Sequence, residues 1–323
     1  MDNSTVLVLA NPADPLLRKL AGLPDSVSIA AGETVEAFER LAADAEVLFN
    51  WSGSGDLLRE VFRRCPRLRW VHTRSAGIDN QLFPELVESS VPLTNGSQVF
   101  SPPLGEFALG AVIYFAQDFR RLIRCQAAGV WETGDIEEIS GRTLGIAGYG
   151  DIGRAIATRA HALGMHILAL RRGVPPPDQV DPLVDEFFTP ATRLAMMARC
   201  DYLAVSAPLT PETRGMIGAA ELAALPAHAV VINVGRGPVI DEAALIDALA
   251  GNRIRGAALD VFDTEPLPAE HPFYRLENVL LSPHCADHTP DWLERAMQFF
   301  LEQFERFSKG EALLNVMDKR RGY

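Results

Sequence analysis

The sequence predicts an α/β protein built from two doubly wound parallel sheets, on three observations. At 323 residues the chain exceeds one ordinary domain of about 100 to 200 residues and suits two. Two successive stretches alternate short apolar runs with helix-like segments, the pattern of parallel sheets with helical crossovers. A glycine-rich turn, Gly148-Tyr149-Gly150-Asp151-Ile152-Gly153, lies between an apolar run and a helical segment of the second stretch.

The strands of the first stretch read Val6-Leu7-Val8-Leu9, Val27-Ser28-Ile29, Val47-Leu48-Phe49 and Leu68-Arg69-Trp70-Val71, with helical segments at 33–43 and 56–64. Loops at 50–55 and Ser75-Ala76-Gly77-Ile78-Asp79 follow strands, where open α/β sheets take their ligands. Ser101-Pro102-Pro103 predicts a helix start, with Ser101 as N-cap and proline in the first turn. The segment 104–124 is apolar nearly all round (Phe107, Leu109, Val112, Phe115, Phe119), so it should be buried on more than one side. It closes on Arg120, Arg121 and Arg124, which suit a solvated C-terminal end. The second series runs through 143–147, 166–170, 202–205, 230–233, 256–259 and 279–281. A last helix follows from Thr289 onward, with Trp292, Met297, Phe300, Phe304 and Phe307 at helical spacing.

Hydrophobic residues at 48% and charged residues at 22% exclude a wholly disordered chain. No continuous apolar run approaches the roughly 20 residues of a membrane span. Met1-Asp2-Asn3-Ser4-Thr5 lacks a basic leader, so a cytoplasmic protein with no membrane contact is expected. Thirty basic against 42 acidic residues, a net charge of -12, speak against a nucleic-acid partner. Any anionic ligand must then be met by local cations. Cys65, Cys125, Cys200 and Cys285 form no C-x-x-C pair, which suggests reduced thiols and no metal site.

The glycine turn has the spacing and context of a dinucleotide loop, as in a Rossmann-like domain. Gly148 permits the tight turn, Gly150 lets backbone approach a pyrophosphate, and Gly153 lets the helix pack on the strand. The next strand ends at Leu170, and Arg171-Arg172 stand where an NAD site usually places an acidic residue. Two guanidinium groups match a 2'-phosphate, so NADP(H) is expected over NAD(H); a solvated basic pair is the alternative. Asp151 is unfavourable beside pyrophosphate unless it turns outward or pairs with Arg154.

Three polar clusters follow strands of the second series, at 233–242, 258–266 and 282–287. They supply one cation, one carboxylate and one imidazole, a set suited to reducing a 2-oxo acid. On these clusters, the glycine turn, Gly141-Arg142-Thr143-Leu144-Gly145-Ile146, the Ala207-to-Thr213 segment and Gly77-Ile78-Asp79, the chain resembles the D-isomer-specific 2-hydroxyacid dehydrogenase family. Its likeness is to the glyoxylate and hydroxypyruvate reductases of that family.

The resemblance implies Rossmann-like and flavodoxin-like domains with a cleft between them. The substrate domain would comprise 1–98 and 288–323, and the dinucleotide domain, 99–287, would be inserted. It further implies that Arg236 binds the substrate carboxylate and carbonyl oxygen, that His284 is the general acid in reduction, and that Glu265 holds the other imidazole nitrogen. The N–H groups of Gly77 and Ile78 would contact the carboxylate, and Asp260 the nicotinamide amide unless it merely caps backbone. Gly148, Tyr149, Gly150, Asp151, Ile152, Gly153, Arg171, Arg172, Ala207, Pro208, Thr213, Val234, Gly235, Arg236, Asp260 and His284 would together bind the cofactor.

Trp131 resembles a tryptophan that reaches toward a partner subunit's site, with core packing as the alternative; a homodimer through the cofactor domain is implied. Cys285 and Asp287 depart from the usual small residues, the thiol as a packing group and Asp287 as a cap of the final helix or a neighbour tuning His284. The implied activity is NADPH-dependent reduction of a small 2-oxo acid, such as glyoxylate or hydroxypyruvate, to the D-2-hydroxy acid. A dinucleotide-sensing, corepressor-like relative is the other class. Oxidation of 3-phosphoglycerate is disfavoured because no regulatory domain follows the final helix.

Overall fold

Residues 4–323 are described by a computed structural model; Met1 to Asn3, read above for leader character, lie outside the described residues. In chain order the strands and helices are β1 Thr5–Leu9, β2 Ser28–Gly32, β3 Ala45–Asn50, α1 Gly55–Phe62, β4 Trp70–Thr73, α2 Pro84–Glu88, β5 Leu93–Thr94, α3 Ser97–Ala116, α4 Phe119–Ala128, β6 Thr143–Ala147, α5 Asp151–Ala162, β7 His166–Leu170, β8 Glu186–Phe188, α6 Arg193–Met197, β9 Tyr202–Val205, α7 Ala219–Ala224, β10 Val230–Asn233, α8 Glu242–Ala250, β11 Gly256–Leu259, β12 Val279–Leu281 and α9 Trp292–Lys309. The chain divides into two units, one up to Phe100 together with Thr289–Tyr323, the other Ser101–His288.

In the first unit five parallel strands lie in the order β2-β1-β3-β4-β5. All five residues of β1 are buried, as expected of a parallel strand covered on both faces. One face carries an aliphatic core of Leu7, Leu48, Leu58, Val61, Val71 and Leu86. On the other, Phe300 of α9 stacks on Phe49 at 3.9 Å between ring centres and on Trp70 at 5.5 Å. The C-terminal tail covers the edge strand β5, where Met317 N–H donates to Leu93 O at 2.8 Å.

His72 is wholly buried in this aromatic layer. Trp70 Nε1 donates to Thr94 Oγ1 at 2.8 Å, and Thr94 Oγ1 lies 2.7 Å from His72 Nδ1. The other ring nitrogen, Nε2, has no hydrogen-bond partner among the described residues. Burial pushes the His72 imidazole down to about 3. An unfolded histidine titrates near ~6.5, so below that pH the unfolded chain takes up a proton that the folded chain refuses. Stability should be intact above this value and fall by about 1.4 kcal/mol per pH unit below it. Equilibrium unfolding measured from neutral pH to about pH 5 checks this; a His72→Phe variant should lose that part of the slope, and an unchanged slope would contradict it.

The second unit holds seven parallel strands in the order β12-β11-β10-β9-β6-β7-β8. Chain order reverses between β6 and β9, the point at which doubly wound sheets open a crevice at their carboxyl ends.

Four sequence expectations need correction. The helix expected at 33–43 is two short 3₁₀ turns, Glu36–Phe38 and Ala42–Asp44, with Phe38 and Ala42 as their buried anchors. The helix expected to begin at Ser101 begins at Ser97 and carries Pro102 and Pro103 inside it. Pro103 cannot donate to the carbonyl of Val99 four residues back, and Arg295 Nη2 donates there instead at 3.1 Å. The single segment 104–124 is two helices, because Asp118 takes a left-handed φ of 49° between α3 and α4. Arg120, Arg121 and Arg124 consequently open a helix rather than close one. Arg121 pairs with Asp118 at 2.9 Å, Arg124 pairs with Glu277 at 2.9 Å, and Arg120 donates to Val279 O. Finally, α3 is by length and composition apolar enough to cross a membrane, although no unbroken apolar run was visible; 61% of that stretch is buried inside the protein.

Candidate active site

The loops after β6 and β9 meet at the reversal in strand order. Gly148 has φ 97°, and a Cβ there would lie 2.5 Å from the backbone of Ala207. A Cβ on Gly153 would lie 2.5 Å from Gly148 O. Both glycines are therefore needed for the turn to close. Gly150 is different: no atom lies within 4 Å of the Cβ position, so the space beside its backbone is open. The N–H groups of Tyr149 and Gly150 find no acceptor among the described residues, and the first turn of α5 adds donors no helical carbonyl can reach. This donor set fits a pyrophosphate.

Around the loop, Ser206 Oγ donates to Gly148 O at 2.7 Å, and Thr213 Oγ1 donates to Pro208 O at 2.6 Å, closing the segment that contains buried Ala207. Val234, also buried, donates its N–H to Val205 O at 3.0 Å. Asp151 does not pair with Arg154. Its Oδ2 accepts from Ser101 Oγ at 2.7 Å, while Arg154 Nε and the Tyr149 hydroxyl both donate to Asp181, at 2.7 and 3.1 Å. Burial opposes the Asp181 charge, but the Leu183 N–H, Arg154 and Tyr149 together hold its carboxyl below the usual range. Arg171 and Arg172 are exposed just beyond β7, and the Arg171 N–H donates to Phe188 O at 2.9 Å.

A second constellation stands at the ends of β10, β11 and β12. His284 adopts φ 51°, a left-handed conformation costing a non-glycine residue on the order of 1 kcal/mol or more. Asp260, 1% exposed, holds it there. The carboxylate Oδ1 of Asp260 accepts from Ser282 Oγ (2.6 Å) and the N–H groups of Cys285 (2.9 Å) and Ala286 (3.1 Å), and its main-chain carbonyl accepts from His284 N–H at 2.9 Å. Asp260 thus caps backbone, and its Oδ2 takes no hydrogen bond among the described residues.

The His284 Nδ1 lies 2.6 Å from Glu265 Oε2, and Glu265 Oε1 accepts from Phe262 N–H at 2.9 Å. A carboxylate has no proton to give, so Nδ1 carries one and Nε2 is the nitrogen left to exchange protons. Arg236 is half-buried, and Nη1 donates to Gly235 O at 2.9 Å. Sequence reasoning overlooked Asn233, whose side chain bonds Arg236 O at 3.1 Å and Gly235 N–H at 3.1 Å, fixing the turn that presents the arginine. A polar residue closing a buried strand was its only signal.

Asp287 does not cap the last helix, since α9 starts at Trp292 after Asp291. Burial raises the Asp287 carboxyl above its ordinary value, opposed by His288 at 3.7 Å and by His284. Cys285 Sγ lies 3.6 Å from Ser282 Oγ. In the first unit, the N–H groups of Ala76, Gly77 and Ile78 meet no acceptor among the described residues, although Ile78 itself is 1% exposed. Trp131 is not core: it is 97% exposed, in company with Phe119, Leu122, Ile123, Val130 and Ile136. Among the described residues no group of three or more His, Cys, Asp or Glu side chains is arranged to hold a metal ion.

Residues 109–286 match the family model described as D-isomer specific 2-hydroxyacid dehydrogenase, NAD binding domain. The chain belongs to the D-isomer specific 2-hydroxyacid dehydrogenase family. It is 31% identical to D-3-phosphoglycerate dehydrogenase of Methanocaldococcus jannaschii, covering 90% of this chain but only 55% of that relative's length. It is 34% identical to glyoxylate/hydroxypyruvate reductase B of Yersinia enterocolitica, covering 79% of this chain and 82% of the relative. The solved NADPH-dependent glyoxylate/hydroxypyruvate reductase of Sinorhizobium meliloti, in complex with NADP and sulfate, superposes with a TM-score of 0.83 at 28% identity, covering 99% of this chain and all of that one. As a 2-hydroxyacid dehydrogenase family member the chain is an oxidoreductase with a Rossmann-like nucleotide-binding domain. In this dehydrogenase the second unit carries Arg236, Glu265, His284 and the glycine loop, and the first unit carries Gly77 and Ile78.

Proposed function

We propose that this dehydrogenase reduces a small 2-oxo acid, such as glyoxylate or hydroxypyruvate, to the D-2-hydroxy acid and prefers NADPH. The observation that carries the reading is the His284–Glu265 pair on a loop clamped by Asp260, with Nε2 left to exchange protons. Reductases among the relatives support the same chemistry. The glycine loop, the donors of α5 and Asp260 Oδ2 would hold the dinucleotide, whose nicotinamide supplies the hydride.

The protein's share of the work is charge and proton management. Arg236 and the N–H groups of Gly77 and Ile78 bind the substrate carboxylate, and Arg236 polarises the carbonyl oxygen. As charge develops on that oxygen, His284 Nε2–H donates its proton to it. Glu265 keeps the Nδ1 proton in place and orients the ring. In oxidation the same nitrogen accepts the proton.

Arg171 and Arg172 account for the NADPH preference, as two adjacent exposed cations beyond β7. Turnover of a 2-oxo-acid panel with NADPH and NADH in parallel tests this. Higher kcat/KM with NADPH is expected, with Arg171→Asp lowering it; a preference for NADH unaffected by Arg171→Asp would contradict it. In solution the enzyme should also have twice the chain mass. The exposed apolar side chains of α4 and the following loop support a homodimer through the second unit, and a monomeric mass would refute it.

A further inference from the structure

The crossover between β7 and β8, both in the second unit, is not an α-helix. Residues 173–183 form a strap that runs through Pro175-Pro176-Pro177, with one 3₁₀ turn at Pro177–Gln179. Among the described residues, 173–180 make no hydrogen bond to anything outside that stretch, and Val174 and Val180 are exposed. A segment with neither a ladder nor a helical partner is ordered by what holds its ends. One end is the close of β7, where the Arg171 N–H donates to Phe188 O at 2.9 Å. The other end is held by Asp181.

The Asp181 side chain is only 14% exposed. Its Oδ2 accepts from Arg154 Nε near the start of α5, at 2.7 Å, and from the Tyr149 hydroxyl in the glycine loop, at 3.1 Å. Its Oδ1 accepts from the Leu183 N–H at 3.1 Å, turning the strap toward β8. Tyr149 is itself placed edge-on against Phe187 of β8, at 5.8 Å between ring centres. Burial and the Asp181 charge raise the Tyr149 hydroxyl above its ordinary value, so it keeps the proton it donates; the Arg171 charge acts on the same hydroxyl in the opposite sense. One carboxylate therefore ties the glycine loop, α5 and the strap together. Left alone, such a charge would repel a phosphate, but two donors share its Oδ2 and it serves as an anchor.

We propose that Asp181 is a positioning residue for the cofactor: by tying residues 173–183 to the glycine loop, it fixes them as a flank for the adenosine half of NADPH. In a doubly wound sheet the end of the strand after the glycine turn meets the ribose beside the adenine, and the strap continues from that end. A flank fixed in advance spares the ligand the cost of ordering it. The proposal rests on the NADPH reading and adds to it a residue outside the glycine turn and the arginine pair.

The test is Asp181→Asn, which keeps the side chain's size and removes its charge. Dissociation constants for NADPH, by fluorescence titration, and for 2',5'-ADP, by calorimetry, should rise together by about 10-fold. KM for NADPH should rise with them, while kcat at saturating NADPH stays within about twofold. Hydrogen exchange in the strap of the unliganded variant should quicken, and Asp181→Glu should regain part of the affinity. Adding Arg154→Met to Asp181→Asn should cost little more, because both remove one contact.

Unchanged or tighter binding in Asp181→Asn overturns the proposal. So does a joint loss of affinity, kcat and thermal midpoint, which a merely structural role would produce. If Asp181→Asn does not fold, Arg154→Met, at an exposed side chain, decides: weaker 2',5'-ADP binding with faster exchange in the strap supports the proposal, and wild-type affinity refutes it. A wild type that binds neither dinucleotide overturns the cofactor reading and this proposal with it. A wild type that binds NADH more tightly than NADPH overturns the 2'-phosphate preference alone, and the Asp181 comparison is then read with NADH.

Discussion

Replacing His284 with alanine should lower kcat by about 10² to 10⁴, the usual contribution of a positioned general acid. Affinity for NADPH, followed by fluorescence titration, should change little, because the His284 loop is held by Asp260 through main-chain donors that the substitution leaves in place. The left-handed backbone at position 284 makes asparagine the better second variant, since it tolerates positive φ more readily than alanine. Asparagine at 284 should therefore fold as the wild type does and still lose the rate. Near wild-type turnover in either variant would remove His284 from the proton path.

The second large effect is expected at Arg236. Its substitution by glutamine would remove a charge and the proposed two-pronged contact to the substrate carboxylate. Losses of such pairs cost about 2 to 5 kcal/mol, which corresponds to roughly 30- to 5000-fold in kcat/KM. Lysine should recover only part of the loss, because it keeps the charge and loses the fork. Steady-state kinetics with the best 2-oxo acid measures this, and a glutamine variant within a few-fold of wild type would place the carboxylate elsewhere. The turn itself should survive, since Asn233 fixes it through backbone atoms.

How much of this was visible in the sequence depended on burial. Strands covered on both faces, such as β10 with its four buried residues, appear as unbroken apolar runs, and β6, β7 and β9 to β12 are legible for that reason. The short edge strands β5 and β8 are not, because two or three residues carry too little pattern. The proline pair was misread through a local rule: proline in a first turn is the common case, and only the tertiary donor Arg295 satisfies the carbonyl that a mid-helix proline leaves open. Likewise the break between α3 and α4 depends on one left-handed aspartate that apolar periodicity does not register.

At the candidate site, the ordered motifs and the capping alternative for Asp260 could be read from the sequence, whereas the donors that converge on its carboxylate could not. Asp260, Ser282 and the N–H groups of Cys285 and Ala286 converge from two strands, and Asp181 gathers donors from positions 149, 154 and 183. Neither spacing has a sequence signature. In the proposed reading, the net charge of -12 would be countered locally by arginines and helix-end amides.

The most direct measurement is consumption of NADPH by the purified protein with glyoxylate, hydroxypyruvate and longer 2-oxo acids, with NADH in parallel and the product's configuration determined. Turnover to the D-2-hydroxy acid, with the higher kcat/KM for NADPH, is the expected result. Tight NADPH binding without turnover on any 2-oxo acid would contradict the proposed reaction and favour a dinucleotide sensor.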